Sequence, residues 1–158
     1  MQALLIMMAL AAALAACSGR DPSAASRLPD ARLPTLGGPT GQSLAECPTD
    51  KCLTVVVAPW CGVCHRAAPD IVRLRRFLDA SGVASRVVVG LSEIGPIREF
   101  AAQFGSDALL DAGGAMTPRG VPIFLISDRT GKILRVVNGF PQTDSAASLA
   151  EALGLLER

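Results

Sequence analysis

"CLTVVVAPWCGVCHRAAPDIVRL", residues 52–74, decides the fold. It opens as a β-branched apolar run, is punctuated by Pro59, and then changes to helical spacing. The run carries little polar alternation, so both its faces must be covered, which predicts a buried strand within 52–60. From Val63 to Leu78 the apolar residues Ala67, Ala68, Ile71, Val72, Leu74 and Leu78 recur at helical intervals. Arg66, Arg73, Arg75 and Arg76 fall mostly on the remaining faces.

Cys61 and Cys64 sit where the strand gives way to the helix. A helix N-terminus offers unpaired N–H groups and the positive end of the macrodipole, which stabilise a thiolate. Gly62 and Val63 between them let the second thiol, on the first turn, reach back to the first. A disulfide can then open and close with little backbone movement. Cys61, at the exposed start of the helix, is expected to attack, and Cys64 to resolve as the buried thiol.

Working outward, "SRVVVGLS" (85–92) reads as a second buried strand, and "GPIREFAAQFG" (95–105) as a helix bounded by Pro96 and Gly105. "VPIFLISD" (121–128), "RTG" and "KILRVVNG" (132–139) read as strand, tight turn and strand. "DSAASLAEALGLLE" (144–157) reads as an amphipathic helix capped by Asp144. Turn residues between short apolar pieces in 33–47 give a weak hairpin signal. The order β-hairpin, β, α, β, α, β, β, α predicts one α/β domain, a central mixed β-sheet with helices on both faces.

With 158 residues, half of them hydrophobic, the chain suffices for one core. A formal charge of +1 gives no electrostatic reason for nucleic-acid binding. One Trp, five Phe and no Tyr make a stacking platform for bases or sugars improbable. The first residues, "MQALLIMMALAAALAAC", are apolar over about 14 positions, too short for a comfortable membrane span and suited to a signal core. Leu14-Ala15-Ala16-Cys17 resembles the lipobox of bacterial lipoproteins, which implies lipidation at Cys17 and cleavage before it. The n-region lacks the usual Lys or Arg. The expected organisation is a signal peptide over 1–16, a lipidated Cys17 with a flexible tether over 17–32, and a folded domain over 33–158. That places the domain in the bacterial cell envelope, held close to the membrane by its lipid.

Export leaves an even set of thiols, Cys47, Cys52, Cys61 and Cys64, which favours disulfide chemistry. Pro48, Thr49 and Asp50 favour a turn that could join Cys47 to Cys52, either as a structural disulfide or as a second pair relaying electrons. No metal is expected: an apolar strand separates the two pairs and the chain has a single His.

Trp60-Cys61-Gly62-Val63-Cys64, the Val-rich strand before it and Pro69 after it resemble the thioredoxin superfamily. "RGVPIFLI" and "GKILRVVNG" resemble the downstream half of that family, over about residues 33–156 in all. The resemblance implies a thioredoxin fold, a cis bond at Pro122 preceded by Val121, and a groove shaped by Trp60, Val121 and Pro122. It implies a protein thiol–disulfide oxidoreductase that needs no organic cofactor and works as a monomer on protein thiols and disulfides with a membrane or periplasmic redox partner. The likeness is strongest to the TlpA-like, membrane-tethered branch, which implies a reductant. Val63 departs from the Pro common there, and Val55 stands where thioredoxin has a buried acid, with Glu93 as a candidate substitute. "CGVCH" also resembles the DsbC-like isomerase site, in which His65 would tune the thiols, so an oxidase or isomerase is the alternative. A thioredoxin-fold Cu or Zn carrier is the alternative of another class.

Overall fold

The computed structural model describes residues 26–156; the expected signal peptide and Cys17 lie outside them. Seven strands and three helices follow in the order β1 (Arg32–Thr35), β2 (Gly38–Ser43), β3 (Lys51–Val57), α1 (Gly62–Ala80), β4 (Ala84–Gly90), α2 (Ile94–Ala101), β5 (Leu109–Asp111), β6 (Ile123–Asp128), β7 (Ile133–Asn138) and α3 (Ala146–Leu153). They form one sheet in the order β2-β1-β5-β4-β3-β6-β7. β3 is parallel to β4 and antiparallel to β6, so the direction of pairing changes at β3.

β3 is buried on both faces from Cys52 to Val57, as its unbroken apolar run requires. One apolar cluster fills the side covered by the helices, where α1 contributes Cys64, Ala67, Ala68, Ile71, Leu74 and Leu78. Full burial of each large aliphatic among them contributes about 1.5–3 kcal/mol at most. Leu28, Leu33, Leu44, Val56, Val88, Leu109, Met116, Ile123 and Leu125 fill the other side.

Packed structure begins earlier than the expected boundary at residue 33. Leu28 is buried, its amide donates to the Gly131 carbonyl, and Arg27 forms a β-bridge with Lys132. A polar segment expected as a tether thus docks through one leucine and borrowed strand hydrogen bonds. Helices were expected on both faces of the sheet, but α1, α2 and α3 all pack into the one cluster. β3, β4 and β5 step the same way across the sheet, so their right-handed crossovers put α1 and α2 on one face. The remaining corrections are local. β5 is an additional strand of three residues, paired with β4 and β1. Helix α2 stops at Ala101 rather than running to Gly105. The cap of α3 is Ser145, whose Oγ accepts the Ser148 amide, rather than Asp144.

Opposite ends of β3 carry different features. Cys52 lies beside Ala84 and Ser127 at one end, while Val56 lies beside Ile123, directly after Pro122, at the other. The β6–β7 turn and the segment at Arg27 belong to the Cys52 end.

Candidate active site

Helix α1 starts on a sulfur. Cys61 is its N-cap, in extended conformation, and Sγ accepts the Cys64 amide over 3.1 Å. The cysteine sulfur takes the place of the hydroxyl oxygen that usually accepts from the third helical residue. Cys61 and Cys64 are joined as a disulfide with Cα atoms 5.2 Å apart. Cys61, expected to be exposed, retains only 6% of its surface, and Cys64 retains 0%. Of the two residues only Cys61 keeps any exposed surface, so the pair opens to the outside there.

Two walls border the opening. The Val121–Pro122 peptide bond is cis, and the Val121 carbonyl oxygen lies 3.4 Å from Cys61 Sγ. Trp60 stands 65% exposed on the other wall, with its indole N–H donating to the Leu91 carbonyl over 2.8 Å. Leu91 is the one non-glycine residue recorded at positive φ among those described, at 60°. Gly62 and Val63 are exposed on the first turn of α1.

His65 faces away from the disulfide in its bonding. Its Nε2 lies 2.6 Å from the Pro59 carbonyl, an atom that only accepts, so the imidazole donates from Nε2. The ring also packs on Phe100 of α2, with centroids 4.3 Å apart. His65 thus ties the loop before Cys61 to α1 and α2. Val55 is fully buried between Val87 and Phe124, so apolar packing fills the position of the absent acid. Glu93 is exposed at the start of α2 and makes no side-chain capping bond.

Cys47 and Cys52 form a second disulfide, with Cα atoms 5.7 Å apart. The stretch of β3 from Cys52 to Val57 spans about 17 Å, which separates the two disulfides along the strand. The four thiols are divided between the two ends, and among the described residues no group of three His, Cys, Asp or Glu side chains gathers in metal-binding geometry.

Two residues beside the site went unread in the sequence. Asp111, at the end of β5, is buried and accepts the amides of Ala115 and Met116. Its signal was the following Ala112-Gly113-Gly114, a turn-forming run in which Asp commonly binds the backbone ahead of it. Leu91 carries no sequence signal.

A family model described as Redoxin matches residues 23–150. Among solved structures, a protein of Chlorobium tepidum provisionally named thiol:disulfide interchange protein DsbE is 27% identical, covering 82% of this chain and 92% of that one, with TM-score 0.61. A secreted Mycobacterium tuberculosis disulfide oxidoreductase is 19% identical over 80% of this chain and 96% of that chain, with TM-score 0.60. The exposed lipoprotein thioredoxin of Streptococcus pneumoniae is 20% identical over 81% of this chain and 100% of that chain, with TM-score 0.61. The last two likenesses carry the fold alone, and the expected thioredoxin-type architecture holds. A curated relative, the dITP/XTP pyrophosphatase of Nocardia farcinica, is 34% identical over 87 residues, 53% of this chain and 41% of that protein. This chain spans less than half of that relative, too small a share to bring its activity along.

Proposed function

The chain belongs to the Redoxin family, and from that premise we propose that it is a thiol–disulfide oxidoreductase acting on proteins through Cys61 and Cys64. The observation that carries the reading is Cys61 itself. Its sulfur caps α1, is bonded by the Cys64 amide, is joined to Cys64, and lies 3.4 Å from the Val121 carbonyl, one residue after the exposed Trp60.

In the reducing direction, the Cys61 thiolate attacks one sulfur of a substrate disulfide and expels the other as a thiolate. A mixed disulfide forms. Cys64, deprotonated, then attacks Cys61 Sγ, releases the remaining substrate thiolate, and closes the Cys61–Cys64 disulfide. The substrate gains two electrons, which a dithiol partner must restore before the next turnover; the reverse sequence oxidises a substrate dithiol. The helix terminus and the Cys64 amide favour the Cys61 thiolate. Trp60, Val121 and Pro122 shape the groove, Gly62 and Val63 form its floor beside the pair, and His65 holds the preceding loop.

We take the reductant direction as the working one, from the likeness of the sequence to the TlpA-like branch. The apolar leader, Cys17 and the polar run after it support an exported, lipid-anchored protein of the cell envelope that works as a monomer with a membrane or periplasmic redox partner. The Cys47–Cys52 disulfide serves as a staple.

The test is trapping. Cys64→Ala offered a protein disulfide should accumulate a mixed disulfide at Cys61, and Cys61→Ser should lose exchange altogether. Undiminished exchange in Cys61→Ser overturns the proposal. Equilibration against glutathione then fixes the direction: a potential well above that of the glutathione couple would reverse it to an oxidase or isomerase.

A further inference from the structure

Both walls of the Cys61 opening run back to one buried carboxylate. Asp111 is 1% exposed. Its Oδ1 accepts the Ala115 amide and its Oδ2 the Met116 amide, each over 2.8 Å. This clasp fixes the turn at the head of the segment that ends in Val121, whose carbonyl faces Cys61 Sγ.

On its other side, Asp111 is paired with Gly90 across β4 and β5. The approach is close: a Cβ on Gly90 would stand 3.2 Å from the Asp111 carbonyl oxygen and 3.3 Å from its Cβ. The residue after Gly90 is Leu91, in left-handed conformation, which presents its carbonyl to the Trp60 indole. One residue therefore anchors the Val121 wall through its side chain and the Trp60 wall through its backbone.

We propose that Asp111 is a positioning residue for the thiol pair, fixing the Val121 carbonyl and the Trp60 ring relative to Cys61 Sγ. This rests on the reading of Cys61 as the attacking thiol. A carboxylate suits the role because both its oxygens accept, one for each amide. An Asn of the same shape accepts with one oxygen and aims an NH2 group at the second N–H, so the clasp must open or turn. Small displacements of groups around a reacting atom cost rate far out of proportion to the stability they cost.

The experiment compares Asp111→Asn with Arg86→Lys, a change on β4 beside Thr54 whose bonding partners all lie within residues 43–54, in the full chain. Four quantities are read: exchange with a peptide disulfide, alkylation of Cys61 in the reduced protein by iodoacetamide, emission of Trp60, and melting temperature. Trp60 is the only tryptophan, so emission reports this wall alone. Asp111→Asn should lose roughly tenfold or more in exchange rate, with altered Cys61 alkylation and a shifted Trp60 emission. Arg86→Lys should lower the melting temperature while its exchange stays within about twofold of the parent. Exchange, alkylation and emission all at parental values in Asp111→Asn overturn the proposal, as does an equal loss in Arg86→Lys.

Should Asp111→Asn not fold, Gly90→Ala presses on the same junction with the carboxylate intact. A shifted Trp60 emission with altered alkylation supports the proposal there, and parental values of both overturn it. A parent protein that exchanges no disulfide refutes the functional reading separately, because emission and alkylation report the placement of Trp60 and Cys61 without any substrate.

Discussion

The Cys64 amide donates to Cys61 Sγ over 3.1 Å, so the residue proposed to resolve already holds the sulfur proposed to attack. The same bond marks Cys61 as the helix cap and Cys64 as part of the helix interior, and burial follows that division. In the reduced protein, alkylation should reach Cys61 at least about tenfold faster than Cys64, because the helix terminus favours thiolate there and access is one-sided. Mass mapping of partly alkylated protein checks the order. Equal labelling at native pH, without denaturant, would contradict it.

The second disulfide closes a short loop, with a sequence separation of five. Loop-closure entropy for so small a ring is worth about 2 kcal/mol. Replacing Cys47 and Cys52 together by Ala should lower unfolding free energy by about that amount and leave exchange at Cys61 unchanged. Urea titration and the exchange assay read the two outcomes. A loss of exchange without loss of stability would make the pair a relay instead.

Arg86 ties the middle of β3 to the chain that leads into Cys47. Its Nε donates to Thr54 Oγ1, Nη1 to the Ser43 carbonyl, and Nη2 to the carbonyls of Leu44 and Glu46. Burial pushes its pKa below the ordinary guanidinium value, opposed by Glu46 nearby. A lysine cannot span these acceptors with one ammonium group, so Arg86→Lys should cost about 2 kcal/mol or more. Equilibrium unfolding in urea measures it.

Asp128 sets an acid limit on the β6–β7 turn. Its Oδ1 accepts the Thr130 hydroxyl and the amides of Thr130 and Lys132. The Thr130 hydroxyl bond is the largest cause holding its pKa below the ordinary 3.8, with the two amides and Arg27 adding to it. A depressed folded value means that the stabilisation is present above the unfolded carboxylate value and is lost as pH falls through the folded one. Asp128→Asn should therefore melt below the parent at pH 7, with the gap closing below about pH 4. A gap that persists at pH 2 would assign the loss to geometry rather than charge.

How much of this was legible in the sequence depended on whether a residue's partner was solvent, core or backbone. β3 and α1 were legible because a two-sided apolar run and a helical stripe each leave a periodic trace. Cys61 and Cys64 were legible for the same reason, as they lie on the junction between those traces. β5 was not, since three residues are too few for a period and its pairing depends on β4 and β1. Asp111 resembled any solvated acid because its partners are amides, which no side-chain pattern encodes. Residues 26–32 looked like part of a tether by composition, yet Leu28 is buried with Ala31 packed on the same cluster. Asp30 accepts the Ser43 hydroxyl, and the Leu28 amide bonds to a turn about a hundred residues on.

That docking of Arg27 on Lys132 gives the domain a front and a back. Ser26 and Arg27 meet the body at the rear, beside the β6–β7 turn, while Cys61 lies at the front beyond the far end of β3. The proposed leash, entering through Ser26, would pull from behind and leave Cys61 looking outward, toward whatever arrives from the surrounding fluid.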